Sequence, residues 1–447
     1  MEQDLTTGSV FKRIVYFSLP YLLSYFLQTL YGMADLFITG QFYGVDTITA
    51  VSNGSQIMHM MTVIIVGLAM GTTVTIGHSV GAKCMEQAEK IIGNTITLFM
   101  GIAVAFTVIL VVLVKPIVVL IATPQEAVAG TSIYLLICFI GIPFITAYNI
   151  ISSIFRGLGD SKSPMYFIGI ACVMNSALDY LFMGAFHMGA AGAALGTVCA
   201  QTFSVLVALW VIRRRKTGIS LKKSDFKIET AVIGQVLKIG IPVALQDGFI
   251  QVAFMIITVI ANSRGVSDAA AVGVVEKVIS ALFIVPSSML ATVSALSAQN
   301  LGAGKEKRAT DTLHYATVIT TIYGMIVAVL IQFIAENVVG IFTSDTTVVT
   351  MGSAYIRSYI WDCIFAGIHF SFSGYFAACG KSYIGFLHNI ISITFVRVPG
   401  SYLASKYFTD TLYPMGLAAP AGSLVSVAIC VTAFILLKRK SRVAQTA

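Results

Sequence analysis

Residues 44–51 read GVDTITAV, and residues 265–272 read GVSDAAAV. The two octets lie 265 − 44 = 221 positions apart. The same offset carries Gly81-Ala82 onto Gly302-Ala303, Tyr134 onto Tyr355, Phe155 onto Phe376, Gly159 onto Gly380 and Ser161 onto Ser382. One offset held along so much chain marks an internal repeat of two like halves. What each half is follows from composition. The chain has 447 residues, of which 57% are hydrophobic and 11% charged, and its mean hydropathy is +0.88. A soluble domain carries about 25% charged residues, so this is the composition of a membrane protein.

Apolar runs long enough to cross a bilayer, about 20 residues, recur along the whole length. Polar residues, Gly and Pro punctuate them into twelve spans: 14–39, 47–74, 91–114, 131–155, 164–184, 190–212, 232–262, 269–296, 312–334, 351–376, 384–404 and 416–437. Several exceed a simple crossing, so tilts, kinks or extensions are expected. The N-terminus, MEQDLTTGSVFKR, lacks a charged region followed by a short apolar core, so no removable signal peptide is expected.

Basic residues orient the spans. The N-terminus, the even-numbered gaps and the C-terminus hold 21 Lys and Arg, including the run Arg213–Lys223, whereas the odd gaps hold only Lys115, Arg264 and Lys406. That asymmetry places both termini in the cytoplasm and requires an even number of spans. It also accounts for the net charge of +8 without a nucleic-acid partner. Six spans per half is even, so the halves enter the bilayer from the same side. The expected fold is an all-α integral membrane protein of twelve transmembrane helices. They form two six-helix lobes related by a pseudo-twofold axis along the membrane normal. The lobes are expected over residues 1–215 and 232–447, joined by a cytoplasmic linker at 216–231.

The polar residues inside the spans carry the functional signal. In CVMNSALDYLFMG (Cys172–Gly184), Asp179 sits in an apolar run with Asn175 one turn earlier on the same face. An ionised carboxylate at a bilayer centre costs about 2.5–3.5 kcal/mol on the insertion scale, so a partner is needed. Asp35, near the end of the first span, has the same depth in the outer half. So do Tyr134, which opens the fourth span, and Thr197, two turns into the sixth. Five polar side chains from four helices could satisfy one another there. Two close carboxylates cannot both ionise cheaply, so they could share a proton or bind a small cation. The alternative is two separate, solvated helix ends. Pro20 breaks the hydrogen bonding of the first span and is a candidate hinge or a static kink. Arg357, Asp362 and Arg397 are candidates for an ion-pair network in the second lobe, and the adjacent Glu276 and Lys277 need separate partners. Gly67-x3-Gly71, Gly77-x3-Gly81 and Gly192-x3-Gly196 permit close helix contact.

Enzyme signals are weak. GYFAACGKS (Gly374–Ser382) has five residues between its glycines where a phosphate loop has four. The six histidines lack metalloprotease spacing, and His369 and His388 read as polar packing. The seven cysteines show neither disulfide nor zinc spacing. No cofactor is expected beyond H⁺ or Na⁺ as a coupling ion.

SLPYLL at Ser18, SVGAK at Ser79, FRGLGDSKSP at Phe155 and GAALGT at Gly192 resemble multidrug and toxic compound extrusion (MATE) transporters. The resemblance covers nearly the whole chain and is closest to the DinF-like branch. It implies a first-lobe cation site at Asp35, Tyr134, Asn175, Asp179 and Thr197, with Asp35 and Asp179 as the candidate Na⁺ ligands, and a bending proline at Pro20. Gln28, Tyr31, Asp247, Gln251 and Asp362 are the candidates for a substrate cavity. Gln251 occupies the place of a seventh-helix glutamate found in the NorM-type branch, a departure from that branch's second-lobe Na⁺ site. The implied activity is antiport in the plasma membrane: H⁺ or Na⁺ enters and an organic, often cationic or amphipathic, compound leaves. The expected partners are small organic substrates and membrane lipid, and the expected state is a monomer. Two rivals are a lipid-linked saccharide flippase of the same superfamily and a membrane-embedded enzyme.

Overall fold

The computed structural model describes residues 4–214 and 220–446. Residues 215–219, which hold Arg215, Lys216 and the expected junction of lobe and linker, lie outside the described residues. In hydrocarbon every backbone N–H and C=O must be satisfied within its own segment, which leaves helices as the available solution for an open chain of apolar spans. The described residues accordingly form helices joined by short turns.

In chain order these are α1 (Val10–Phe42), α2 (Val45–Gly81), α3 (Met85–Leu120), α4 (Val128–Ile140), α5 (Ile142–Gly157), α6 (Lys162–Asp179) and α7 (Gly189–Arg214). They continue with α8 (Thr230–Asn262), α9 (Val266–Leu282), α10 (Ile284–Gly302), α11 (Glu306–Gly340), α12 (Thr346–Tyr359) and α13 (Asp362–Ala378). The last are α14 (Ser382–Ser392), α15 (Val398–Tyr407) and α16 (Tyr413–Thr446). Grouping α4 with α5, α9 with α10, α12 with α13, and α14 with α15 gives the twelve membrane spans expected from sequence. Among the described residues, eight spans are long and apolar enough to cross unaided, and α4 with α5 makes a ninth, bent by 51° at Gly141. The first, tenth and eleventh spans are more polar, and they carry Asp35, Asp362 and Arg397.

Several helices outrun the bilayer. At 1.5 Å per residue, the 37 residues of α2 extend about 55 Å, against a hydrocarbon core of about 30 Å. The apolar side chains of α3 illustrate the inverted logic of a lipid-facing helix: Val104, Val108, Ile109 and Val112 are all exposed, because lipid rather than water receives them.

The chain packs into two compact units. The first comprises Val15–Ala244 and Ala298–Gly304, with the described residues before Gly8; the second comprises Gly8–Ile14, Leu245–Ser297 and the chain from Lys305 onward. Boundaries inside α8 and α10 mean that a membrane helix can belong to both units. The first unit has a core of Ile38, Ala50, Val51, Tyr134, Leu135, Phe139 and Ile142. The second has one built on Val272, Val275, Ile279, Tyr355, Ile356, Tyr359 and Ile360. The repeat shows within the first unit. A Cβ on Gly81 would lie 2.0 Å from the carbonyl oxygen of Gln299, and one on Gly302 would lie 2.1 Å from that of His78. These contacts are reciprocal under the offset of 221, and only glycine permits backbones to approach so closely.

The linker is fastened. A 3-10 turn at Lys223–Phe226 lies on α3. Asn94 donates from Nδ2 to the Asp225 carbonyl at 3.1 Å and accepts from the Glu229 amide at 2.7 Å.

Candidate functional site

The end of α6 brings Asn175 and Asp179 to one face, since residues four apart share a helix side. Both have no exposure, Asp35 of α1 is 3% exposed and Tyr134 of α4 is 2% exposed. Thr197 of α7 donates from Oγ1 to Oδ2 of Asp35 at 3.4 Å. The charges of Asp35 and Asp179 act on each other, with Asn175 beside both carboxyls, and the Asp35 charge also acts on Tyr134. The five residues singled out by depth therefore meet in one buried cluster of the first unit. Tyr31, expected to line a cavity, joins it instead: its hydroxyl donates to the Thr197 carbonyl at 3.4 Å.

The cluster is short of partners. Oδ1 of Asp35, both oxygens of Asp179 and both polar atoms of the Asn175 amide are buried without a hydrogen-bond partner among the described residues. Buried carboxyl groups of this kind are costly unless a proton or cation joins them. An arrangement of two facing carboxyls, an amide, a hydroxyl and a phenol is able to take up either.

Sequence spacing missed two glycines that make the cluster possible. A Cβ on Gly196 would sit 2.0 Å from Oδ1 of Asp179, so the second glycine of Gly192-x3-Gly196 leaves room for a carboxyl group rather than for a helix. A Cβ on Gly54 of α2 would fall 2.2 Å from Cδ1 of Tyr134. Directly after Asp179 the helix widens into a π segment, Tyr180–Ala185, a feature that concentrates at functional sites. Tyr43 braces it, donating to the Met183 carbonyl at 3.0 Å and accepting from the Gly189 amide at 2.9 Å. Pro20 lies inside α1, which remains helical through it.

In the second unit the expected trio is not assembled. Arg357 pairs with Glu336 at 3.2 Å and also donates to the Gln332 carbonyl. Both partners lie on α11, and neither is Asp362. Arg397 instead donates to the Tyr359 hydroxyl and lies 5.0 Å from the Phe254 ring centre. Its charge acts on both Asp362 and Glu276, so Glu276 replaces Arg357 in the network. Thr258 donates to Glu276 at 3.3 Å, and the neighbouring Lys277 is exposed. Asp247 and Gln251 of α8 are half-buried and take no part in the hydrogen bonds of that network. His388 contacts Ser373 through Nε2 at 2.9 Å, and its ring meets that of His369, as polar packing requires.

The sequence pattern of the MatE family matches this chain twice, over residues 20–181 and 242–403. The chain belongs to the MatE family. The two matches are displaced by 242 − 20 = 222 positions, within one residue of the internal repeat. Among MatE-type relatives, the "Probable multidrug resistance protein YpnP" of Bacillus subtilis (strain 168) is 30% identical over 415 residues, spanning 93% of each chain. The "Probable multidrug resistance protein NorM" of Thermotoga maritima is 23% identical, spanning 89% of this chain and 86% of its own. Among solved structures, one titled "Outward-facing conformation of a multidrug resistance MATE family transporter of the MOP superfamily" covers 100% of this chain and 99% of its own. Its TM-score is 0.91 at 20% identity. Another, titled "Crystal structure of MATE in the bent conformation", covers 99% and 98% at TM-score 0.90 and 21% identity. The shared fold is that of a multi-pass membrane transporter with twelve helices in two lobes.

Proposed function

We propose that this chain is a secondary active transporter, not an enzyme. It exports small organic, often cationic or amphipathic, compounds across the plasma membrane in exchange for H⁺ or Na⁺, by alternating access, with both termini cytoplasmic. The relatives' names support export of drugs. The observation that carries the coupling is the buried pair Asp35 and Asp179, whose free oxygens have no partner.

The mechanism follows from that shortage. A proton or Na⁺ entering from outside neutralises the pair, with Asn175, Thr197 and Tyr134 completing its surroundings. Coupling requires the cation to favour one conformation by differential affinity. Helix α1 is the element proposed to change shape: Pro20 removes a backbone hydrogen bond fifteen residues before Asp35, and other proteins of this fold have been solved in conformations titled "straight" and "bent". Bending on cation uptake reshapes the first-lobe cavity, weakens the hold on substrate and favours outward release. The second lobe, with Gln251 neutral, then shapes the cavity more than it drives exchange.

Purified protein in liposomes, with pH and Na⁺ gradients imposed separately, tests this reading. Asp35→Asn and Asp179→Asn should each insert and fold but lose gradient-driven export, and the double variant should be no worse. Substantial gradient-driven export by both single variants would refute the coupling role and leave the aspartates as buried helix ends.

A further inference from the structure

A second polar feature of the first unit lies away from the carboxyl pair. A cavity of about 20 Å³ opens between α1 and α5, lined by Ser24, Gln28, Tyr148, Asn149 and Arg156, with Ile168 among its apolar walls. Among the described residues no carboxylate lines it. The guanidinium of Arg156 stacks on Tyr21, 3.9 Å from the ring centre. Its Nε is buried without a hydrogen-bond partner, and among the described residues no acid pairs with it. A stacked guanidinium still offers its N–H groups in the ring plane, and a cation–π contact replaces only part of the lost hydration. The cavity therefore presents a positive charge without its counter-charge.

The remaining walls can donate as well. Asn149 uses one amide hydrogen on the Ile145 carbonyl at 2.8 Å, which leaves the other, and Gln28 and Tyr148 bring an amide and a hydroxyl. Ser24 is committed to the Pro20 carbonyl at 2.8 Å. Size narrows the ligand. The cavity exceeds the ~10–15 Å³ that one water needs and is far below the ~300–1,000 Å³ of a pocket for a whole small molecule.

We propose that this cavity is an anion subsite, which takes one small anionic group against Arg156, Asn149 and Gln28: a free halide or the carboxylate of a larger ligand. Ser24 and Gln28 lie one and two turns beyond Pro20, so straightening or bending α1 would build or dismantle one wall. That last link rests on the proposed function; the binding itself does not.

The test uses the full chain in nanodiscs at equilibrium, with no gradient, so that failure of cation coupling leaves it readable. One arm replaces gluconate by chloride at constant ionic strength and follows the unfolding midpoint. The other compares binding of a rhodamine carboxylic acid with its methyl ester. A saturable chloride-dependent rise in the midpoint assigns a free ion; an acid-over-ester preference of about tenfold, the worth of one charge-assisted hydrogen bond, assigns a ligand carboxylate. Either must vanish in Arg156→Gln and survive in part in Arg156→Lys. Gln28→Leu, which leaves the stacked arginine in place, should weaken the same effect and serves if Arg156→Gln does not fold. Absence of both effects in the unmodified protein, their persistence in Arg156→Gln, or their full retention in Gln28→Leu overturns the proposal.

Discussion

Replacing Gly196 by Ala adds one methyl group at the most constrained point of the carboxyl cluster. The new Cβ would start 2.0 Å from Oδ1 and 3.2 Å from Cγ of Asp179, with Nδ2 of Asn175 at 3.5 Å. Ordinary van der Waals contact begins near 3.4 Å, so the carboxyl oxygen must retreat by about 3.4 − 2.0 = 1.4 Å. Asp179 has no exposure and therefore no solvent to retreat into; the shift must be taken by its rotamer or by separation of α6 from α7. Overpacking of this kind costs about 1–3 kcal/mol. If one tenfold step in exchange corresponds to about 1.4 kcal/mol, gradient-driven export should fall about tenfold or more. The fall should be larger than any loss of assembled protein. Gly192→Ala is the comparison. It adds the same methyl one turn earlier on α7, where the neighbours at 3.0–3.2 Å are side-chain atoms of Met183 and Met188 and the Phe182 backbone. Its effect should fall on thermal stability rather than on exchange. Export in liposomes and unfolding midpoint, measured on both variants, decide the matter. Wild-type exchange by Gly196→Ala, or an equal loss of exchange in Gly192→Ala, would refute the claim that this glycine exists to seat the carboxyl group.

Other expectations follow from contacts outside the cluster. Arg264 donates to the carbonyls of Ser405, Phe408 and Thr409 at 2.8–2.9 Å and pairs with Asp268 at 2.7 Å. Arg264→Gln should cost about 2–3 kcal/mol and speed hydrogen exchange around residues 405–411; unchanged exchange there would count against the clamp. Asn94→Ala removes the bonds to Asp225 and Glu229 while leaving that of Thr97 to the Phe226 carbonyl, and should cost about 1–2 kcal/mol, seen as faster proteolysis of residues 220–229 with α3 intact. A cysteine placed at Ser220 should react with a membrane-impermeant reagent only after the cells are opened. Labelling in intact cells would overturn the proposed topology. Gln251→Ala should change which compounds are exported while cation-driven exchange survives, and loss of exchange for every compound would move the essential site to the second lobe.

Much of the fold was legible in the sequence because lipid imposes one rule on every span: backbone groups must be satisfied locally, so a long apolar run is a helix. The repeat offset set the expectation that the helices divide six and six, whereas the compact units part inside α8 and α10. Asp35, Asn175, Asp179, Thr197 and Tyr134 could also be found, because position along a span is depth in the bilayer, and buried polar groups must find one another at equal depth. Depth says nothing about rotation about a helix axis or about which helix lies opposite. For that reason Arg357 was matched with Asp362 although it faces Glu336, Glu276 was left without its network, and Tyr31 was assigned to a cavity rather than to the cluster. Gly54 and Gly196 belong to the same class. A glycine in an apolar span reads as a packing residue, and only the tertiary structure shows that what packs against these two is a phenol ring and a carboxyl oxygen, because the need for a missing side chain is set by the atom across the gap and not by the chain that carries it.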